Sequence, residues 1–311
     1  METNQLSHFP VMVNEVVSFL EPKREKIYLD CTFGQGGYSR KILESAECKV
    51  FAIDRDLNSH KYAKILSQKF NSRFTFSNTK FSDLHFFLDK KNIKAIDGMV
   101  LDLGVSNTQL NDPHRGFSFS NNGPLDMRMD NINTKLTAET IINEYDEKEL
   151  SDIFFYYGEE RNSRKIANSI VEFRKKKKID STKMLSDIIQ KINKYKFKHP
   201  ATRVFQALRI VINEELNELE EALKISLEIL TKNARIVIVA FHSLEDKIVK
   251  NFFKKNGYNN FNDNNKNALR IITKKPITPS LEEIKINPRS KSAKLRAVSY
   301  THLTLPTNLS V

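Results

Sequence analysis

The chain has 311 residues and a mass of 36.0 kDa, which is enough for one large domain or two smaller ones. Hydrophobic residues make up 40% of it, and no apolar run approaches the ~20 residues that a membrane-spanning helix needs. The N-terminus lacks the pattern of a secretory signal, so we expect a cytoplasmic protein with no membrane partner. Only Cys31 and Cys48 are present, which excludes a disulfide framework and fits a reducing compartment.

The chain is strongly basic. Lys and Arg number 50 against 38 Asp and Glu, which gives a formal charge of +12 and a pI near 9.4. This balance favours a polyanionic partner such as nucleic acid. Lys, Asn and Ile are abundant throughout the chain, however, and general composition explains the charge equally well, so the motifs have to decide.

Short apolar segments alternate with amphipathic ones from Lys26 to Asp102. The segments KIYLDC, KVFAIDR, RFTFSN and DGMVLDLG predict strands, whereas SRKILES and HKYAKILSQKF have helical periodicity. The runs VFAI and GMVL are unbroken apolar stretches, which is typical of a parallel sheet covered by helices on both faces. This part of the chain is therefore predicted to be an α/β domain of the Rossmann-like type.

The pattern changes after Gln109, where a turn-rich loop precedes segments with helical period and no convincing strand. We predict an inserted all-helical domain over 136–204, within a sheet domain formed by 1–135 and 205–300. The stretches RKKKKID and KINKYKFKHP concentrate positive charge on the insert, although such runs are usually only solvated helix faces.

The sheet is predicted to resume after a long helix-like stretch from Arg203 to Leu230. The segments RIVIVAFH, ALRIITKK and KLRAVSYT are the strand candidates that complete it. The polar segment NGYNNFNDNNKNA is predicted to be a surface loop. Residues 301–311 are predicted to form a tail outside the fold, and their native origin is left open.

A glycine-rich turn, DCTFGQGGYS over 30–39, follows the first predicted strand. Glycines there permit positive φ and leave no Cβ between backbone and ligand, and the next helix offers free N–H groups. Asp54 ends the second strand, where a carboxylate can accept hydrogen bonds from both ribose hydroxyls. Asp56 is available to cap the helix in DRDLN, which leaves Asp54 for a ligand. Together these residues predict a site for an adenosine-containing ligand.

The turn lacks the third glycine of the dinucleotide fingerprint, which disfavours a nicotinamide cofactor and the rival class of nicotinamide-dependent oxidoreductases. S-Adenosylmethionine carries no phosphate and fits the turn better. Phe81 follows the third strand candidate and Asp102 ends the fourth. Both stand at the carboxyl edge of the sheet, where open α/β folds bind ligands, and we expect them to contact this cofactor.

Many motifs, in order from His8 to about Ala297, resemble the bacterial family of 16S ribosomal RNA cytidine N4-methyltransferases, called MraW or RsmH. They are DCTFGQGGYS, AIDRD, LDLGVSNTQL, RGFSF, GPLDMRMD, YGEER, HPATRVFQALRI, FHSLEDKIVK and NPRSKSAKLR. The resemblance implies a class I S-adenosylmethionine methyltransferase sheet with an inserted helical domain, and transfer to a decoding-centre cytidine. It implies cofactor contacts at Gly36, Gly37, Tyr38, Asp54, Phe81, Asp102 and Gln109.

The chain departs from the family pattern at two places. Tyr38 stands where the family usually has histidine, and Asn107 and Thr108 replace a more usual Ser-Pro pair. If position 38 contacts the cofactor through its backbone, tyrosine is tolerated; if the imidazole matters, cofactor affinity is in doubt.

Asp102 is the candidate catalytic residue, because an acceptor near the cytosine amino group would free its lone pair and take its proton. The chain has Asp102-Leu-Gly-Val-Ser in place of the Asp-Pro-Pro-aromatic motif of many amino methyltransferases. Asp102 therefore has two alternative roles: catalysis, or positioning of the cofactor while backbone carbonyls of 103–106 hold the amino group. His242 and Glu245 are further candidates, although a histidine at a strand end is more often structural.

Basic residues in these motifs are the candidate RNA contacts, because a flipped-out base requires cations on the flanking phosphates. They are Arg115, Arg128, Arg203, Lys247, Arg289 and Lys291. Arg128 has an equally good structural alternative, pairing with Asp126 or Asp130. The expected partner is 16S ribosomal RNA within the small ribosomal subunit, with naked RNA and a homodimer both left open. No metal is expected, and a non-catalytic RNA-binding module is a further alternative.

Overall fold

The computed structural model describes residues 10–194, 199–257 and 267–302. These residues form two compact units. The sheet unit consists of the described residues up to Gly104 and from Leu216 onward, and the helical unit runs from Val105 to Glu215. Within the described ranges, no helix combines the length and the apolar composition that crossing a bilayer requires.

The sheet unit contains seven strands in the order β3-β2-β1-β4-β5-β7-β6. Their bounds are β1 Ile27–Asp30, β2 Lys49–Asp54, β3 Phe74–Asn78, β4 Ile96–Asp102, β5 Leu230–Ala240, β6 Asn267–Ile271 and β7 Lys294–His302. Strands β1 to β5 pair in parallel, and β7 pairs antiparallel with both β5 and β6. The predicted Rossmann-like α/β fold class is confirmed, as are all the strand candidates.

The helices of the described residues follow in chain order: α1 Val13–Leu20, α2 Gly37–Ser45, α3 His60–Phe70, α4 Leu84–Lys90, α5 Asn107–Asn111, α6 Ala138–Glu144, α7 Glu147–Tyr156, α8 Ser163–Arg174, α9 Thr182–Ile192, α10 Thr202–Asn213, α11 Glu215–Ile229, α12 Ser243–Lys255 and α13 Leu281–Ile286. Helices α5 to α10 belong to the helical unit.

Helices cover both faces of the sheet, because successive side chains of a buried strand point to opposite faces. In β4, Met99 and Leu101 pack into a core shared with α4, α11 and α12, whereas Val100 packs into a second core with α1, α2 and α3. In β5, Ile236 and Val237 divide between the two cores in the same way. This two-sided burial explains why these strands are unbroken apolar runs.

The helical unit has its own core and is larger than the predicted insert over 136–204. Its described residues contain no strand, only an isolated bridge between Pro124 and Ser181. The core includes loop residues that precede the first long helix, namely Phe117, Leu125 and Met127. The turn-rich segment therefore packs with the helices, and the unit begins at Val105 rather than near residue 136.

Two predicted boundaries need correction. The long helix-like stretch from Arg203 to Leu230 is broken at Glu214, which has a left-handed backbone with φ 51° and ψ 33°. The predicted tail starts too early, because residues 301 and 302 pair with 268 and 267 in the sheet. Residues 303–311, and 258–266 of the predicted polar loop, lie outside the described residues.

Candidate active site at the carboxyl edge of the sheet

The parallel strands bring their carboxyl ends to one edge of the sheet. There β1 ends at Asp30, β2 at Asp54, β3 at Asn78 and β4 at Asp102. The chain order reverses between β1 and β4, which are neighbours, so this edge has a topological switch point. Ligands of open α/β sheets bind in the crevice at such a point. The predicted cofactor residues of the sheet unit all lie at this edge.

The glycine turn after β1 has the backbone that its sequence predicts. Gly34 and Gly36 have φ of 52° and 78°, and α2 begins at Gly37. The N-cap residue Gly36 offers no side-chain cap, and the N–H of Ser39 in the first turn donates to Oδ2 of Asp30 at 3.2 Å. A Cβ on Gly36 would lie 2.6 Å from Cζ of Phe33, and one on Gly37 would lie 2.7 Å from Cγ of Pro10. Gly36 and Gly37 are therefore required by packing as well as by any ligand.

Gly34 differs from its neighbours in the turn, since a Cβ there would meet its nearest atom, the Thr32 carbonyl oxygen, only at 3.9 Å. The space beside Gly34 is open. Its N–H donates to Oδ2 of Asp54 at 2.6 Å, which ties the turn after β1 to the end of β2.

Asp54 holds the loops while keeping acceptor capacity. Its Oδ2 accepts from Gly34, and its Oδ1 accepts from the N–H of Asp56 at 2.8 Å. Asp56, not Asp54, caps the following turn by accepting from the N–H of Asn58 at 3.0 Å. Burial raises the pKa of Asp54, while these hydrogen bonds oppose the rise. The Ser59 side chain also hydrogen-bonds to this carboxylate. A carboxylate has about four acceptor positions, so Asp54 keeps acceptor capacity for a ligand hydroxyl.

Asp102 carries an unsatisfied acceptor. Its N–H donates to Oγ1 of Thr32 at 2.6 Å, but its Oδ1 is buried and has no hydrogen-bond partner among the described residues. Burial, followed by the negative charges of Asp30, Glu245 and Glu283, raises the pKa of Asp102 well above its usual range. A buried acceptor without a partner is rare in native proteins and marks a place where a donor from a ligand fits.

Asp30 is a buried carboxyl that the sequence analysis did not single out. It is fully buried and accepts from Oγ of Ser39 at 2.7 Å and from the N–H of Thr32 at 3.1 Å. Burial raises its pKa to about 6, the nearby charge of Asp54 adds to the rise, and the hydrogen bonds reduce it. Its position directly before the glycine turn was the available signal.

Tyr38 directs its side chain into the core. It is 3% exposed, and its hydroxyl donates to the carbonyl oxygen of Val11 at 2.5 Å. Only its backbone, in the first turn of α2, is left for a ligand. Of the two alternatives for position 38, this geometry favours contact with a ligand through the backbone, and the contact itself stays a prediction.

Phe81 lies in a short 3-10 turn, Phe81–Asp83, directly after β3. Its ring is partly buried against the core that contains α4 and α11. The adjacent Ser82 is bound by Glu218 of α11, at 2.9 Å from its N–H and 3.0 Å from its hydroxyl.

His242 and Glu245 form the N-terminal cap of α12. The Glu245 carboxylate accepts from the N–H of Phe241 at 2.8 Å, and His242 Nδ1 accepts from the N–H of Glu245 at 3.4 Å. Their side chains also approach each other, with His242 Nε2 3.0 Å from Glu245 Oε1. These contacts give both residues a structural role.

In the helical unit, Gln109 is buried and takes part in the cap of α5, where its Oε1 accepts from the N–H of Ser106 at 2.9 Å. Its predicted cofactor contact stays a prediction.

The predicted RNA residues have different environments. Arg128 donates through Nε and Nη2 to Asp126 at 3.0 and 2.6 Å, and through Nη1 to the carbonyl of Thr134 at 3.0 Å. Arg115 donates to the carbonyls of Arg128 and Met129. Both arginines therefore hold the loop of the helical unit. Arg203 is half-buried on α10, whereas Lys247, Arg289 and Lys291 of the sheet unit are exposed.

The sequence model of the MraW methylase family matches residues 5–301 of the chain. The chain belongs to this family. Ribosomal RNA small subunit methyltransferase H of Wolbachia sp. subsp. Drosophila simulans (strain wRi) is 47% identical over 296 residues, which cover 94% of this chain and 99% of the relative. The protein of the same description from Rickettsia canadensis (strain McKiel) is 50% identical over 308 residues, with coverages of 94% and 97%.

A solved structure, an rRNA methylase from Streptococcus thermophilus, aligns with a TM-score of 0.41 and 10% identity, over 93% of this chain and 94% of that one. Membership in the MraW family confirms the predicted family and the predicted enzyme class. It disfavours both alternatives, the nicotinamide-dependent oxidoreductase and the non-catalytic RNA-binding module.

Proposed function

We propose that the protein transfers a methyl group from S-adenosylmethionine to the exocyclic N4 amino group of a cytidine in 16S ribosomal RNA. The observation that carries the proposal is the unpartnered, buried Oδ1 of Asp102 at the carboxyl end of β4, beside the switch point, in a chain of a methylase family. The proposed setting is the cytoplasm, with the RNA held in the small ribosomal subunit.

The charge of the crevice fits this cofactor. Asp30, Asp54 and Asp102 are carboxyls whose pKa values are raised by burial, and Asp30 raises that of Asp102 further. A cationic ligand relieves the repulsion among these groups, whereas the pyrophosphate of a dinucleotide would increase it. S-Adenosylmethionine carries a sulfonium and an ammonium group, and so has the favourable sign.

Different residues of the site would bind different parts of S-adenosylmethionine. The open space at Gly34 and the N–H groups of Gly37 and Tyr38 at the start of α2 would hold the methionine end. Asp54 would accept the two ribose hydroxyls, and Phe81 would contact the adenine. Bound S-adenosylmethionine supplies an activated methyl group on a positively charged sulfur.

Asp102 would act on the acceptor base. Its unpartnered Oδ1 is free to accept a hydrogen bond from the cytosine amino group, which makes the nitrogen lone pair more available for the methyl group. The nitrogen loses one proton when the N–C bond forms, and the raised pKa of Asp102 suits it to take that proton. The remaining elements position the reactants, and positioning alone can contribute ~7 to 11 kcal/mol.

Exposed cations of the sheet unit would hold the RNA backbone. Lys247, Arg289 and Lys291 are the proposed phosphate contacts, and Arg203 is a further candidate. Arg115 and Arg128 would contribute to the overall positive field while shaping their loop. The base must leave its stack to reach the crevice, at a cost of a few kcal/mol.

The test is transfer of labelled methyl groups to small ribosomal subunits and to free 16S RNA, with the modified nucleoside identified by mass spectrometry. Wild type is compared with Asp54→Ala and with Asp89→Ala, an exposed carboxylate on α4 that serves as the control. We expect N4-methylcytidine from wild type and the control, and loss of transfer in Asp54→Ala. Absence of transfer by wild type to either substrate contradicts the proposal.

A second variant, Asp102→Asn, separates the two roles of that residue. If Asp102 takes the proton, kcat falls by roughly 100-fold or more while cofactor affinity is kept. If it only positions the cofactor, the KM for S-adenosylmethionine rises instead. Sedimentation of the active protein in the same buffer decides between one chain and a homodimer.

A further inference from the structure

The end of the hairpin formed by α7 and α8 exposes aromatic rings. Phe155, Tyr156 and Tyr157 are 53%, 64% and 37% exposed, whereas the neighbouring Phe154 is fully buried. The rings of Phe155 and Tyr156 meet edge to face with centroids 5.2 Å apart. None of these three residues belongs to the core cluster of the helical unit, which includes Phe154, so core packing does not explain the exposed part of the rings.

Three unpaired cations follow these rings in the chain. Arg161, Arg164 and Lys165 are exposed, and none of them has an ion-pair partner in the described part of the chain. The one exposed acid nearby in sequence is Glu159, which interacts elsewhere. Arg164 and Lys165 lie in the first turn of α8, where the helix dipole disfavours positive charge. Helix stability does not explain them either.

The lysine run at the other end of α8 is different. Lys175 pairs with Glu172 and Lys178 with Glu139, while Arg174 donates to the carbonyls of Ile142 and Tyr145. Lys176 and Lys177 of the same run are exposed and have no ion-pair partner among the described residues. Part of the positive charge of the run is therefore neutralised within the protein. The cations at the α7–α8 end differ from the run because they follow exposed aromatic rings in the chain.

We propose that Phe155, Tyr156, Arg161, Arg164 and Lys165, here called the α7–α8 corner, bind unpaired nucleotides of the substrate RNA. The rings stack on bases and the cations contact the adjacent phosphates. Proteins use this combination to bind single-stranded nucleic acid without sequence preference. The inference rests on the proposed function, because it takes ribosomal RNA as the substrate. Charge complementarity selects RNA over a second copy of this basic chain, which the same cations would repel.

The test uses the double variant Phe155→Ser/Tyr156→Ser, with Phe86→Ser as the matched control. Phe86 is 73% exposed on α4 of the sheet unit and lies outside the corner. We expect the double variant to raise the KM for small subunits and the Kd for free 16S RNA by roughly fivefold or more, with the KM for S-adenosylmethionine and the Tm unchanged. The control should leave all four quantities unchanged.

A second pair of substitutions, Arg161→Gln and Arg164→Gln, tests the charge. Each should reduce the slope of log Kd against log salt concentration by about 0.7. Unchanged RNA binding in both sets of variants overturns the proposal, as does a wild-type dimer that the serine variant dissociates without affecting RNA binding. RNA binding is measured without catalysis, so failure of the proposed methyl transfer is distinguishable from failure of the corner.

A separate observation concerns Glu218 of α11, which is 6% exposed and fixes the turn that carries Phe81. Its Oε2 accepts from the N–H of Ser82 at 2.9 Å, its Oε1 accepts from the Ser82 hydroxyl at 3.0 Å, and Lys80 Nζ lies 3.7 Å from Oε1. The carboxylate therefore binds the residues on both sides of Phe81.

The other end of the same segment is also anchored, since the N–H of Thr79 donates to the carbonyl of Asp54 at 3.1 Å. We infer that Glu218 is a positioning residue for the cofactor, acting through Phe81. This inference also rests on the proposed function, which assigns Phe81 to the adenine.

The test measures calorimetric binding of S-adenosylhomocysteine to Glu218→Ala, Glu218→Gln and the control Glu221→Ala, a residue of the same helix whose side chain is 47% exposed. We expect Glu218→Ala to raise the Kd about tenfold, because both Ser82 hydrogen bonds to a charged acceptor are lost. Glu218→Gln, which keeps an acceptor for the N–H, should recover part of the affinity, and KM for the cofactor should rise without a change in kcat. Wild-type affinity in both Glu218 variants overturns the inference, whereas failure of wild type itself to bind the probe overturns the proposed function.

Discussion

Alanine substitutions at Gly34 and Gly36 separate backbone strain from steric overlap in the glycine turn. Both glycines have a positive φ, 52° and 78°, which costs an alanine about 1–2 kcal/mol. At Gly36 the new Cβ would also lie 2.6 Å from Cζ of Phe33, whose ring is confined between Phe74 and Phe76 at centroid distances of 5.4 and 5.0 Å. Overpacking of this kind adds about 1–3 kcal/mol.

We therefore expect Gly36→Ala to lower the free energy of unfolding by roughly 2–5 kcal/mol, and Gly34→Ala by only about 1–2 kcal/mol. Urea denaturation of both variants measures this difference. Calorimetry with S-adenosylhomocysteine should give a further contrast, because the Cβ of Gly34→Ala enters the open space assigned to the cofactor and should weaken binding beyond its effect on stability. Equal destabilisation by the two substitutions would refute the steric argument, and undiminished cofactor affinity in Gly34→Ala would refute the assignment of that space.

Three other substitutions have defined outcomes. Tyr38→Phe leaves the Val11 carbonyl unpaired, so thermal unfolding should show a loss of about 1–3 kcal/mol with cofactor affinity unchanged; the reverse pattern would mean that the hydroxyl serves the ligand. Arg128→Gln removes the bidentate pair with Asp126 and should lower stability without changing the salt dependence of RNA binding, whereas a slope reduced by about 0.7 would instead assign Arg128 to a phosphate. Asp30→Asn should flatten the pH dependence of unfolding. The pKa of Asp30 is 3.8 unfolded and about 6 folded, so the folded state binds the proton more tightly and wild-type stability falls as pH rises through this window. The Asp30 contribution is roughly 3 kcal/mol in full. At about pH 4 the carboxyl is already partly ionised in the unfolded chain, so urea titrations should show wild-type stability falling relative to Asp30→Asn by roughly 2–2.5 kcal/mol between about pH 4 and about pH 7; parallel pH profiles contradict the assignment.

Local patterns predicted the sheet well, because strands buried on both faces have an unmistakable composition. The runs around Met99 and Ile236 are examples, and both lie in strands at the centre of the sheet. The placement of the glycine turn and of Asp54 at the carboxyl edge was also predictable, since it depends on a spacing that the strand–turn–helix geometry fixes.

Tertiary contacts determined what local patterns did not predict. Helical periodicity continues through Glu214, but helix α10 ends at Asn213. The Asn213 side chain forms hydrogen bonds with the backbone of Met127 and Met129. The turn-rich composition of 110–135 likewise concealed that Phe117 and Met127 are core residues. The periodicity of the sequence does not indicate either of these packing arrangements.

The same distinction applies to the site. Glu218 is separated from Ser82 by 136 residues, so no motif could connect them, and only the packing of α11 reveals the contact. The buried state of Asp30 and the unpartnered Oδ1 of Asp102 also depend on neighbours from other strands. For Arg128, the sequence named both its RNA role and its pairing with Asp126, and the structure contains the pair.

The sheet unit is built from two separated stretches of chain, while the helical unit is continuous from Val105 to Glu215. Synthesis on the ribosome therefore completes β4 well before its neighbour β5 exists, and the whole helical unit emerges in between. Contiguous, locally connected units fold quickly, whereas pairing of distant strands must wait for the chain that closes it. We expect the helical unit to fold first, leaving the β4 edge exposed to aggregation or to chaperones until β5 arrives, after which the edge of β5 stays exposed until β7 pairs with it.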